Sequence, residues 1–171
     1  MAINQEVIKH AFVVTANVFI KKDGQYLMIK RSPLKSVMPD AVHPFGGKID
    51  PDENPYLAAQ REVLEETGLK VTNMRLEAVV LELKPLKHAP DNWLVFHFSA
   101  DYESGELMVS EEGEPIWLLP KEIINQKLFP SVQQIIGHII DPKEGTVFAT
   151  FEYDDQGTII EETKKIAVCA V

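Results

Sequence analysis

Cysteine is all but missing from this chain of 171 residues, with Cys169 the only one. An intramolecular disulfide cannot form, and a cysteine-rich zinc or redox centre is excluded. Basic residues are also scarce: 17 Lys and Arg stand against 26 Asp and Glu, a formal net charge of −9. Such a surface is not built to neutralise a nucleic-acid backbone. Small phosphorylated molecules need only a local inversion of sign, which acidic proteins achieve with bound divalent cations. Long apolar runs are absent too. The longest, residues 11–20, is interrupted by Thr15 and Asn17 and is too short to span a bilayer. The opening residues Met1-Ala2-Ile3-Asn4-Gln5-Glu6 lack the basic-then-apolar layout of a secretory signal. The expectation is a cytoplasmic protein without a membrane segment. Hydrophobic residues at 45% and charged ones at 25% exclude wholesale disorder. No repeat, low-complexity stretch or linker divides the chain, so a single domain over 1–171 is expected.

What is present reads as alternating strands and helices. Apolar runs at 11–20 and 25–31 flank Lys21-Lys22-Asp23-Gly24, a hairpin signal. Pro33, Pro39 and Pro44 mark 32–45 as a long loop leading into Gly46-Gly47. A helix follows, with Asn54 as N-cap, Pro55 at the first helical position and Gly68 as left-handed C-cap. Strands are expected at 71–83, 93–102 and 115–119, and short helices near 120–126 and 131–140. A last hairpin over 146–171 turns at Asp154-Asp155-Gln156-Gly157. The interleaving predicts a layered α/β fold.

The segment 54–69 contains no lysine, and Arg61 is its only cation. Glu62, Glu65 and Glu66 fall at i, i+3 and i+4, where Cβ atoms lie about 5–6 Å apart and like charges destabilise a helix. Hard cations among these carboxylates would explain the arrangement, because Mg²⁺ takes oxygen ligands and paired-metal sites hold ions about 3.5–4 Å apart. On a helical projection Tyr56, Leu57, Val63 and Leu64 occupy the opposite side, which is expected to pack against the sheet.

Gly47, then Glu53, then Arg61-Glu62-Val63-Leu64-Glu65-Glu66-Thr67-Gly68-Leu69 resembles the full signature of the Nudix hydrolase family. Over roughly 8–140 the order of elements also resembles that family's fold, an α/β/α sandwich around a mixed sheet. The hairpin over about 145–171 has no obvious counterpart in that core. The resemblance implies a divalent-metal-dependent hydrolase, using Mg²⁺ or Mn²⁺, that cleaves the pyrophosphate linkage of a nucleoside diphosphate derivative. It implies Glu62, Glu65 and Glu66, with the backbone at Gly46, as metal ligands, and Glu53 and Arg61 as their supports. Gly46-Gly47 matches the turn that approaches metal and phosphate. Two positions depart from the family pattern: Asp50 replaces a usual glutamate, and Pro51-Asp52 replaces small residues. Water is expected to attack phosphorus while a carboxylate takes its proton. The base is a motif glutamate or Glu112, with Glu111 and Glu114 as rivals.

Substrate identity is less directly written. Glu112-Gly113-Glu114-Pro115-Ile116-Trp117, followed by Leu128-Phe129-Pro130-Ser131, resembles the MutT-like branch. That branch hydrolyses purine nucleoside triphosphates, oxidised ones included, to monophosphate and pyrophosphate. Arg31 and Lys48 are candidate phosphate contacts, and Gln133 is the candidate reader of the base edge. Trp93 is read as core, and His88 and His97 as loop and strand residues. Pro85 is a weak pointer to the alternative of ADP-ribose or another nucleotide sugar. A non-catalytic nucleotide sensor ranks last, since every motif glutamate is present. The expected partner is a small nucleotide, with neither a nucleic-acid polymer nor a membrane. The hairpin over 146–171 could pair with an edge strand of its own subunit or with a second copy in a homodimer.

Overall fold

A hairpin opens the computed structural model, which describes residues 12–35, 37–85, 91–108, 113–141 and 144–167. Strands β1 (Phe12–Lys22) and β2 (Gln25–Arg31) are joined by Asp23 and Gly24, at φ 51° and 77°. Two successive positive φ values match the right-handed twist of the flanking strands. The chain continues through β3 (Val42–His43), β4 (Phe45–Lys48), α1 (Pro55–Thr67), β5 (Lys70–Leu83) and β6 (Asn92–Ser104). It ends with β7 (Gly113–Leu118), α2 (Pro120–Ile123), α3 (Pro130–Ile140), β8 (Thr146–Tyr153) and β9 (Ile159–Ala167). The loop expected at 32–45 thus contains β3 and leads into β4. Neither strand shows the alternation of apolar and polar residues that marks a longer one.

One mixed sheet runs in the order β3-β2-β1-β6-β5-β8-β9, with β4 also paired to β1 and β7 to β2. Within it β1 runs antiparallel to β2 and β4 and parallel to β6. Helix α3 packs on one face over a core that includes Phe19, Met28, Val80, Ile135 and Phe151. Helix α1 covers part of the other face, where its Val63 packs with Val18, Ile20, Leu27 and Phe45. This is the expected layering of helix, sheet and helix. Among the described residues no helix is long and apolar enough to cross a membrane.

The final hairpin is continuous with the main sheet. Strand β8 pairs parallel to β5, from Ala78 opposite Val147 to Leu83 opposite Glu152. Its residues Val147, Ala149, Phe151 and Tyr153 are buried in the core beneath α3. Of the two placements the sequence left open, β8 takes the one within its own subunit, and β9 becomes an outer edge. His97 is 1% exposed, and burial pushes its imidazole pKa down to about 3. It is a neutral core residue, as its strand position suggested. Trp93 also packs against the core beneath α3.

Candidate active site

Helix α1 starts and stops where its sequence dictates. The Asn54 side-chain oxygen accepts from the backbone N–H groups of Tyr56 and Leu57, each at 3.0 Å. Gly68, at φ 72°, donates its N–H to the Leu64 carbonyl at 2.9 Å. These caps satisfy backbone groups that a helix end leaves unpaired.

The packing face differs from the expected one. Of Tyr56, Leu57, Val63 and Leu64, only Val63 is buried; the other three are 43%, 52% and 46% exposed, respectively. Ala58, Ala59, Val63 and Thr67 form the seam instead. The partner at this seam includes β4, whose Gly46-Gly47 pair offers no side chains, so small alanines let the helix approach closely. Ranking residues by apolar size overlooks the alanines. The correction moves Glu62 and Glu66 from the far side of the helix to the margin of the seam, both half-buried.

The two glycines make this approach possible in different ways. Gly46 has φ 146°, and a Cβ there would lie 2.1 Å from the Ala16 carbonyl oxygen. A Cβ on Gly47 would meet the Glu62 carboxylate at 2.6 Å. The Gly46 N–H donates to Glu66 Oε2 at 3.0 Å. Strand β4 therefore presses its bare backbone against two motif carboxylates.

Arg61 organises the rest. Its Nε donates to Glu53 Oε1 at 3.1 Å, and its Nη2 donates to Glu53 Oε2 at 2.8 Å. Its Nη1 reaches Glu62 Oε1 at 2.9 Å and Glu65 Oε2 at 3.2 Å. Nη2 also donates to the Lys48 carbonyl at 3.1 Å, tying the helix to the end of β4. Hydrogen bonds from Arg61 hold the Glu53 carboxyl below the usual carboxylate range. The bonds to Glu53 and Glu62 in turn push the Arg61 pKa up, so this guanidinium stays charged. One cation thus offsets the repulsion among the carboxylates, with the paired geometry only arginine can supply.

Among the described residues no three acidic or histidine side chains converge at metal-binding distances. Glu62 and Glu65 turn toward Arg61, and Glu66 toward Gly46. The donor set nevertheless suits a hard divalent cation, because all three side chains offer carboxylate oxygens from one flank of one helix. Glu65, with its side chain 61% exposed, has room to turn.

The other expected site residues separate into groups. Arg31, at the end of β2, donates from Nε to the Val37 carbonyl at 3.2 Å, and its guanidinium carbon lies 5.7 Å from the Phe129 ring centroid. Lys48 contributes its carbonyl to Arg61, while its side chain is exposed. Asp50 is exposed, and its carbonyl accepts the Glu53 N–H at 3.0 Å, so it shapes the turn into the helix. Glu114 is exposed in β7, opposite Lys30. Glu111, Glu112 and His88 lie outside the described residues.

Gln133 is exposed on α3 and does not join the core polar groups. The buried polar residue of that turn is Ser131, 4% exposed, which shares hydrogen bonds with Glu82 and Tyr153. Helical spacing could have found it, since Ser131 shares a face with Ile135. Burial raises the Glu82 carboxyl pKa, and hydrogen bonds from Ser131 and Tyr153 oppose that rise. His43 was also missed. Its ring meets Phe129 edge-on at 5.6 Å, three positions before Gly46, so an aromatic and basic cluster of Arg31, His43 and Phe129 adjoins β4.

This geometry has relatives. Residues 11–141 match the NUDIX domain family. The uncharacterized Nudix hydrolase YvcI of Bacillus subtilis is 33% identical over 113 residues, covering 63% of this chain and 69% of that protein. The oxidized purine nucleoside triphosphate hydrolase of Mus musculus is 31% identical over 117 residues, covering 68% of this chain and 72% of that protein. A solved mutator MutT protein from Bacillus halodurans shares the fold with a TM-score of 0.78 at 20% identity, over 90% of this chain and 98% of that one. That share is larger than residues 8–140 alone could supply. The likeness of fold to that protein therefore extends into the terminal hairpin. With the signature seated on a helix of this geometry and the family match spanning most of its length, the chain belongs to the Nudix family and is a hydrolase acting on pyrophosphate bonds.

Proposed function

We propose that the protein is a MutT-like pyrophosphohydrolase that converts a nucleoside triphosphate and water to the nucleoside monophosphate and pyrophosphate, using Mg²⁺ or Mn²⁺. Purine nucleotides, oxidised forms included, are the foremost substrates, and the cytoplasm is the expected compartment. The observation that carries this reading is the Arg61-centred carboxylate cluster pressed against Gly46-Gly47. The similarity to the mouse hydrolase supports the purine preference.

Glu62, Glu65 and Glu66 would hold the metal, with the Gly46 backbone beside them. Bound there, a divalent ion supplies charge for the pyrophosphate oxygens and lowers the pKa of a water. Arg61 and Glu53 keep the glutamates in register on the helix, so the site is organised before substrate arrives. The attacking water forms a bond to phosphorus as the bond to the leaving phosphate oxygen breaks, and the water's proton passes to a carboxylate. Glu65 is the most solvent-open of the cluster carboxylates, Glu53, Glu62 and Glu66 being half-buried, and Arg61 holds it only at 3.2 Å. Glu112 is the other candidate base. Arg31, Lys48 and the Phe129 ring would orient the rest of the nucleotide.

A screen of purine and pyrimidine triphosphates, oxidised purine triphosphates and nucleotide sugars, with product identification, tests this reading. The pyrimidine arm matters because a CTP pyrophosphohydrolase from Escherichia coli is 28% identical over 120 residues, covering 66% of this chain and 79% of that protein. Pyrophosphate release should vanish with chelator and return with Mg²⁺ or Mn²⁺, and Glu66→Gln should abolish it without unfolding the chain. Activity indifferent to chelation, or ribose phosphate as the main product, would overturn the proposal.

A further inference from the structure

Strand β9 leaves one edge of the sheet open. Among the described residues it pairs with β8 on one side only, and eight of its nine residues are exposed. A free row of backbone N–H and C=O groups is a template for another strand, and proteins often blunt such edges with proline, bulges or charged side chains. This edge has no proline, and its four charges are two acidic and two basic, so they can be matched by a second copy instead of repelling it. It reads Ile159-Ile160-Glu161-Glu162-Thr163-Lys164-Lys165-Ile166-Ala167. Centred on Thr163, that sequence is complementary to its own reverse. Two antiparallel copies with Thr163 opposite Thr163 set Glu161 against Lys165 and Glu162 against Lys164, all within the regular part of β9, since its register against β8 shifts only at Ile160.

Within the subunit these side chains have little use. Strand β8 places Glu152 opposite Glu161, Phe151 opposite Glu162 and Phe148 opposite Lys165. Lys164 donates to the Gln134 carbonyl at 2.8 Å, but among the described residues no ion pair reaches from β9. Ile160 and Ile166 are 61% and 46% exposed, which the fold of one copy does not explain.

We propose that β9 is an interface between two copies of this chain, paired antiparallel about a twofold axis through Thr163. A twofold contact is self-complementary, so each of the two acid–base pairs occurs twice. The register is specified as well. Shifting the pairing by one step in either direction puts Lys164 opposite Lys164 or Glu162 opposite Glu162, and directly opposed like charges are destabilising. Three strands, β6, β5 and β8, separate β9 from β1 and its partner β4. At roughly 4.8 Å per strand, the shared edge lies about 19 Å from β1, so each catalytic cluster stays open.

Sedimentation velocity from micromolar to sub-millimolar concentration tests this. The unaltered protein should sediment as a dimer. The charge-reversed pairs E161K/E162K and K164E/K165E should each become monomeric, with association weakened by roughly a hundredfold or more. Mixed in equal amounts they should form a heterodimer, because every opposed pair again joins acid to base. Hydrolysis by either variant should match the unaltered protein, which also shows that they fold. As a second measure, Thr163→Cys in a Cys169→Ser background, treated with a thiol oxidant, should cross-link two copies readily, whereas Glu161→Cys should not. A protein that is monomeric throughout, reversed variants as dimeric as the original, a mixture that stays monomeric, or equal cross-linking at both positions would each overturn the proposal.

Discussion

Adding one methyl group at Gly47 should silence the enzyme without unfolding it, while the same change one residue earlier should unfold it. At Gly47 the new Cβ would sit 2.6 Å from the Glu62 carboxylate, and ordinary contact begins at 3.4 Å. The obstruction is the far end of a flexible side chain, so Glu62 retreats by about 0.8 Å and its 2.9 Å bond from Arg61 is disturbed. Losing one partly exposed hydrogen bond costs about 1 kcal/mol, a fall in Tm of roughly 2–4 °C for a chain this long. A displacement near 1 Å in a catalytic constellation can cost about a hundredfold in rate, equivalent to about 2.7 kcal/mol of transition-state stabilisation. At Gly46 the clash is with backbone: 2.1 Å to the Ala16 carbonyl oxygen and 2.7 Å to the Asn17 Cα, in a strand that cannot step aside. Its φ of 146° adds about 1–3 kcal/mol of strain for any other residue. Gly46→Ala should therefore be insoluble or melt far below the unaltered protein. Pyrophosphate release and a thermal melt on both variants decide the matter. Full activity in Gly47→Ala would refute the idea that Glu62 must lie against β4, and an unshifted melt for Gly46→Ala would refute the tight strand contact.

Two further outcomes are expected. Arg61→Lys replaces a planar fork with a point charge that cannot serve Glu53, Glu62 and Glu65 together. Urea unfolding should show a loss of about 1–2 kcal/mol, allowing for partial exposure of the pairs, and kcat/KM should fall; an unchanged midpoint with full activity would show that Arg61 organises nothing. His97 binds its proton in the unfolded chain near pH 6.5 but in the folded one only near pH 3. The unfolded state therefore holds more protons between those values, and stability falls as pH drops through that window, by up to about 1.4 kcal/mol per pH unit. His97→Leu should flatten that slope relative to the unaltered protein, whereas an identical pH dependence in both would show that His97 titrates freely when folded.

Charge and spacing within about fifteen residues made the carboxylate cluster legible from the chain itself. Glu62, Glu65 and Glu66 share a flank of any helix, and Asn54, Pro55 and Gly68 set that helix's ends. The Asp23-Gly24 turn was readable for the same reason, since it depends only on local φ values. Other features needed the tertiary structure. Which side of α1 faces inward was decided by Gly46-Gly47, a partner distant in sequence that accepts alanines and carboxylates and leaves Leu57 and Leu64 outside. Ser131 rather than Gln133 turned inward because Glu82 and Tyr153, from two other strands, meet it there. The buried Glu77, held by Arg75 and Ser99, lies where β5 shifts register against β6, and no local pattern announces such a shift. The parallel seat of β8 on β5 joins residues about 70 positions apart, as Ala78 opposite Val147 shows. Helix caps, turns and i, i+4 neighbours are settled by atoms a few bonds away, so the sequence alone determined them. Facing sides, strand order and the open edge at β9 are settled by which distant surfaces fit closely, which became visible only once the chain was folded.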